Sequence, residues 1–264
     1  MLDRGEHTAM KVFKIVAQRE QQQSNEDQFD SFQALLGAYR SDGHVLGREL
    51  MTISLHQQIE AYVFTPADDA FQPDFGNEWI LKRIDEIKGT GLLEPTFSAL
   101  GDDLSESDGC ACVGSTSLIL FTTYIQIQSP VRCGDCFRPL PLYRLPRFKN
   151  NEFSEVIGWA DDYKSCDSLF MNSSTGERFG YREMSRVDSS LSRRGRAICT
   201  HFEHETGKAA YYYLHRYYGR SRAAEEVRKC PLCGGDWLLS ERWHLFDFKC
   251  DQCRLVSTLS SSVT

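Results

Sequence analysis

The feature that most limits what this chain can become lies near its C-terminus, in KCPLCGGDWLLSERWHLFDFKCDQC. Cys230 and Cys233 are followed, sixteen residues on, by Cys250 and Cys253, a C-x2-C-x16-C-x2-C pattern. A two-residue gap turns both thiolates of a knuckle toward one ion, and two such knuckles at this separation fill a tetrahedron around zinc. Gly234 and Gly235 free the backbone after the first knuckle, and the residues between the knuckles supply a hairpin on which Trp237, Trp243 and Phe248 can pack. Residues 229–258 therefore predict a zinc ribbon. Its metal is structural, because four thiolates leave no ligand position for a substrate.

The chain carries ten cysteines, and its first residues, MLDRGEHTA, contain no apolar core of a secretory signal. Thiols in that context predict a reducing, cytoplasmic setting and metal ligation rather than disulfides. Cys133 and Cys136 form a further C-x2-C knuckle and read as ligands of a second zinc ion. Cys110 and Cys112, separated from Cys133 by twenty residues, can complete the set, with Cys166 or Cys199 as the competing ligands. For Cys166 and Cys199 the simpler reading is a small buried side chain. His201, His204, His215 and His244 read as surface or packing residues.

Upstream of the cysteines the patterning is that of an α+β protein. Lys11 to Gln18 alternates as a strand, and Glu26 to Tyr39 places Phe29, Phe32, Leu35 and Leu36 on one helical face, with Ser24 or Asn25 as N-cap. Val45 to Ser54 and Gln58 to Thr65 read as paired strands. Asn77 to Lys88 reads as a second helix presenting Trp79, Ile80, Ile84 and Ile87, and Ser117 to Gln128 reads as the closing strand. The order βαββαβ predicts a ferredoxin-like domain over 10–128, preceded by a disordered lead or alternative start at 1–9. A mixed α/β domain is expected over 129–228. Its helices are Glu152 to Lys164, Ser189 to Glu205 and Ser221 to Arg228, and Lys208 to Tyr218 is its strand. No run of 18 apolar residues exists, so no membrane span or membrane partner is expected.

No phosphate loop, dinucleotide fingerprint, HExxH or nucleophile elbow occurs, so the expectation is a binding protein and not an enzyme. Two partner classes stay open. Residues 178–229 carry a net +6, with Arg193, Arg194, Arg196 and Arg216 close in sequence to Tyr211 and Tyr213. Guanidinium groups and aromatic faces together suit single-stranded nucleic acid. Residues 1–150 carry a net −7, with Asp68, Asp69, Asp102, Asp103, Glu106 and Asp108 in loops. That distribution suits a basic protein partner, as for an immunity or antitoxin-like protein.

Four stretches, SPVRCGDCFRPLPLYRLP (129–146), SCDSLFMNSSTGERF (165–179), TGKAAYYYLHR (206–216) and the ribbon with its flanks (229–255), resemble a bacterial family of unknown function. That family's label couples a zinc ribbon to nucleic-acid binding. The resemblance spans most of residues 10–258 and implies a cytoplasmic protein with a C-terminal zinc ribbon and no assigned catalysis.

Overall fold

Alternation of apolar and polar side chains in the first strand fixes one face of a sheet. The computed structural model describes residues 9–21, 26–103, 105, 108–172 and 174–263. Within them β1 (Lys11–Gln18) turns Phe13, Ile15 and Ala17 inward, and β3 (Gln58–Thr65) answers with Ile59, Ala61 and Val63. Helix α1 (Glu26–Ser41) covers that face with Phe32, Leu35, Leu36 and Tyr39, the helical repeat of an apolar stripe. Strand β2 (Leu46–Ser54), helix α2 (Glu78–Gly89) and β4 (Thr96–Asp102) complete a four-stranded antiparallel sheet, order β2-β3-β1-β4. This is the ferredoxin-like βαββαβ arrangement. The side chain of Asn77 caps α2 by accepting from Ile80 N at 2.9 Å.

Three details differ from the sequence reading. The strand that closes this sheet is Thr96–Asp102, whereas Ser117 to Gln128 contributes only β5 (Ser117–Leu120), in a second sheet. TFSALGD is almost wholly exposed, so burial leaves no alternation in it to read. Trp79 does not join Ile80 and Ile87 in the core; it is exposed, and its indole N–H donates to Asn150 O. The expected lead at 1–9, apart from Ala9, and the caps Ser24 and Asn25 lie outside the described residues.

The chain divides into two compact units, Met1–Ala111 with Ile127–Ser129 and Arg138–Ser154, and Cys112–Gln126 with Pro130–Phe137 and Glu155–Thr264. The second is built on a six-stranded mixed sheet, order β6-β5-β7-β10-β9-β8, where β6 is Val131–Cys133 and β7 is Ala209–Tyr213. Strands β8 (Leu238–Trp243), β9 (Phe246–Cys250) and β10 (Leu255–Ser257) belong to the ribbon. β7 runs parallel to β5 on one side and to β10 on the other. The ladder therefore crosses residue 228, and the ribbon extends this sheet instead of hanging from it. Helices α3 (Ser154–Asn172), α4 (Glu177–Ser185) and α5 (Ser190–Thr206) make the crossover between β5 and β7. Of the strand expected over Lys208 to Tyr218, only Ala209–Tyr213 pairs.

Helix α5 lies against β7 at Gly195. A methyl group there would come within 2.2 Å of a Tyr212 ring carbon and 2.8 Å of the Trp159 indole nitrogen, both side chains being fully buried. Alanine normally favours a helix over glycine by about 1 kcal/mol. Here the overlap wins. Gly195→Ala is expected to lower stability by about 2–3 kcal/mol, read as an earlier midpoint in urea, because a packed core cannot absorb the atom.

Candidate metal centres

At the ribbon, β9 ends on Cys250 and the chain turns through Asp251 and Gln252 to Cys253. Across from it, Cys230 N donates to Gly235 O and Gly234 N to Cys230 O, both at 2.9 Å, so the first knuckle closes on itself. The Sγ atoms of Cys230, Cys233, Cys250 and Cys253 all lie within 4.8 Å of one another, and Cys233 and Cys250 are 3.7 Å apart. A tetrahedron with metal–sulfur bonds of about 2.3 Å has edges of about 3.8 Å. The thiols thus stand close to where a zinc ion would hold them. Without a cation their protons are unevenly shared. The Gly235 backbone N–H and then the Cys253 thiol hold Cys233 down at about 7, while burial pushes Cys250 and Cys253 up. A divalent ion removes that conflict by taking all four as thiolates.

Cys110, Cys112, Cys133 and Cys136 form a second group on the same scale, with all four sulfurs within 4.8 Å. Its burial matches the ribbon's member by member: first and third buried, second exposed, fourth intermediate. Cys110 N donates to Pro139 O at 3.0 Å, Phe137 N to Cys133 O at 2.8 Å, and the Asp135 N–H points at Cys133 Sγ from 3.4 Å. Asp135 accepts from both the backbone N–H and the hydroxyl of Thr116, which keeps its carboxyl below the usual range. Each group offers four sulfurs and can hold one metal ion. Soft thiolates in a tetrahedral set make zinc a fitting occupant.

All three C-x2-C knuckles share a device that only one of them announces in sequence. The residue after the second cysteine is left-handed in each: Phe137 at φ 61°, Gly234 at 72° and Arg254 at 53°. That conformation turns the chain back over the sulfurs, and outside glycine it costs about 1–2 kcal/mol. Neighbours over-determine it at the two non-glycine positions. Phe137 stacks on His244 at 5.2 Å between ring centroids. Arg254 grips both Glu203 oxygens at 2.7–3.0 Å, and its carbonyl accepts from Tyr212 N. The remaining candidates lie outside both four-sulfur groups. His244 Nε2 lies 2.7 Å from Gly134 O, and Cys166 and Cys199 are buried, with burial pushing the Cys166 thiol up to about 11.

The residues expected to bind nucleic acid are not brought onto one surface. Tyr211 and Tyr213 are 3% and 7% exposed in the middle of the sheet, so neither ring face can stack a base, and that expectation is corrected. Arg216 is bound to Glu225, Arg194 to Asp162, and Arg196 donates to Val187 O. Arg193 and Arg196 line a cavity of about 390 Å³ beside the second ribbon knuckle, together with Glu203, Gln252 and Arg254. Most of the acidic loop residues are engaged too. Asp69 accepts from Tyr143 and Arg144, Asp102 pairs with Lys11, Asp108 with Arg138, and Asp103 holds the N–H of Ser105. Glu106 lies outside the described residues.

Residues 10–101, 112–215 and 219–263 match three domains of unknown function, DUF8589, DUF2310 and DUF8594. An uncharacterized protein of Haemophilus influenzae is 32% identical over 240 residues, covering 89% of this chain and 92% of that protein. A second uncharacterized protein of the same organism is 37% identical over 171 residues, covering 64% of this chain and 84% of its own. Among solved structures, a Caulobacter crescentus protein described as an antibiotic biosynthesis monooxygenase aligns with 38% of this chain and 93% of its own, at 11% identity and a TM-score of 0.30. With that length of shared sequence, the chain belongs to the bacterial family of unknown function represented by the Haemophilus influenzae proteins.

Proposed function

We propose that this protein is a non-catalytic binding protein of the reducing cytoplasm, clamped by two structural zinc ions, that holds single-stranded nucleic acid beside its ribbon. The observation that carries the first part is the composition of the two cysteine groups, since four sulfurs close each coordination sphere to substrate. For the second part the support is the cavity between α5 and the knuckle at Cys253, where Arg193 and Arg196 stand three residues apart on one helical face. Glu203 is spent on Arg254, and no hydrogen bond or ion pair engages the Arg193 guanidinium among the described residues.

Electrostatics sets the strength. Zinc with four thiolates keeps two negative charges, which offset the two arginines facing the cavity. Nucleic-acid binding there is therefore weak and rests on Arg193 and Arg196, the two arginines of the helix that line the cavity. Two contacts to a single strand give a slope of log affinity against log salt of about −1.4. Fluorescence anisotropy with a labelled oligonucleotide is expected to show that slope, and Arg193→Glu/Arg196→Glu is expected to abolish binding with the fold intact. Salt-independent binding, or binding that survives the double substitution, would sink the nucleic-acid reading. A basic protein docking on the acidic loops has less to work with, because Asp69, Asp102 and Asp108 already have cationic partners in the chain.

A further inference from the structure

The face of the ferredoxin-like sheet turned away from α1 and α2 exposes an apolar patch on β2 and β3. Side chains alternate along a strand, so the neighbours of the inward Phe13, Ile15 and Ala17 point outward. The register sets them in rows: Ile53, Glu60, Val16 and Thr96 in one, Met51, Tyr62, Lys14 and Ser98 in the next, Phe64 and Val12 in a third. Met51 is 63% exposed and Phe64 39%, and Ile53 is exposed beside them. On β4, Leu100 is exposed where the register shifts opposite Val12 and Phe13. A half-covered antiparallel sheet ordinarily shows polar residues on its open side.

Charge narrows the occupant. The charged residues in these rows are Lys14 and Glu60, and they neutralise each other at 2.7 Å. Tyr62 O–H donates to the same carboxylate, as does Gln58. A phosphate backbone or a strongly charged protein finds no handle on such a face. A second copy of the chain meets it without like-charge repulsion, and two such sheets can pack face to face about 10 Å apart. We propose that this face is the interface of a homodimer.

Area sets how tight the dimer is. Four strands of about eight residues span roughly 26 Å by 19 Å, so each copy offers about 500 Å². The total of about 1,000 Å² sits at the lower limit for a specific interface, which predicts reversible association in the micromolar range. Sedimentation velocity on the full-length, metal-loaded protein tests this. The weight-average mass is expected to rise from 30.2 kDa toward twice that value with concentration. Met51→Glu/Phe64→Glu is expected to weaken association at least about tenfold. Leu81→Glu, at an exposed apolar residue of α2 in the same domain, is expected to leave it unchanged. Should the double variant disturb the sheet itself, Phe64→Ser alone must still shift association in the same direction. A monomer at every concentration overturns the proposal and reserves the face for a different chain. It is equally overturned by a dimer that the double variant leaves intact, or that Leu81→Glu weakens as much.

Discussion

Cys250→Ser is expected to cost the protein one zinc ion and the C-terminal half of its second sheet. Metal analysis of protein purified without chelator should find about two zinc ions per chain in the wild type and one in the variant, with the first group still filled. The physical reason is the scale of the terms. Zinc bound to a four-ligand structural site contributes on the order of 10 kcal/mol to folding, whereas the ribbon hairpin alone has almost no core. Its buried side chains, Trp237, Phe246 and Phe248, reach the sheet only if the knuckles hold β8 and β9 in place. Damage should not stop at the ribbon, because β10 is the parallel neighbour of β7 and the Tyr212 N–H is satisfied by Arg254 O. Amide exchange in the variant should accelerate across β8, β9, β10 and β7, while β1 and β3 of the other unit keep their protection. Wild-type protein without zinc would defeat this prediction outright. A variant that loses zinc but keeps the protection of β7 would show that the ribbon is not a working part of the sheet.

The paired knuckles were legible because they rest on spacing, which survives any fold around them. The ferredoxin-like order was legible for a related reason: β1, α1, β3 and α2 each bury one face, and burial writes a period into sequence. β4 buries almost nothing, so no period marks it, and the apolar stretch from Ser117 to Gln128 stands out as a strand in its place. The tyrosines misled through a different ambiguity. AAYYY lies between two parallel neighbours and is buried on both faces, so aromatic residues follow one another without alternation. Beside arginines, such a run looks the same as a stacking platform. The left-handed turns at Phe137 and Arg254 were hidden because neither residue type signals a positive φ. Only the third dimension supplies the Glu203 and His244 side chains that hold them there.

Arg216 shows most sharply how a cation read as a binding residue can belong to the fold. Glu225, 2% exposed on α6 (Arg222–Glu226), accepts from Arg216 Nε at 3.1 and 3.2 Å and from its Nη2 as well. Arg228 approaches the same carboxylate at 3.3 Å while packing against the rings of Trp237 and Phe248, at 4.8 and 4.2 Å from their centroids. Burial pulls the Arg228 guanidinium down to about 10, so it stays charged at neutral pH and must keep a counter-charge. Glu225→Gln preserves the shape and removes that charge. Breaking a buried ion pair from one side costs about 3–5 kcal/mol; the lower end applies here, because Arg216 is partly exposed and can turn to water. Urea unfolding of the full-length protein should show a loss of about 3 kcal/mol. Adding Arg228→Met should recover part of it, since a thioether packs against the same two rings without needing an anion. Arg216→Ala should likewise lower stability more than it lowers any affinity for nucleic acid. A Glu225→Gln protein within about 1 kcal/mol of wild type, or a double variant as unstable as the sum of its parts, would mean that the carboxylate is not what holds these two arginines in the structure.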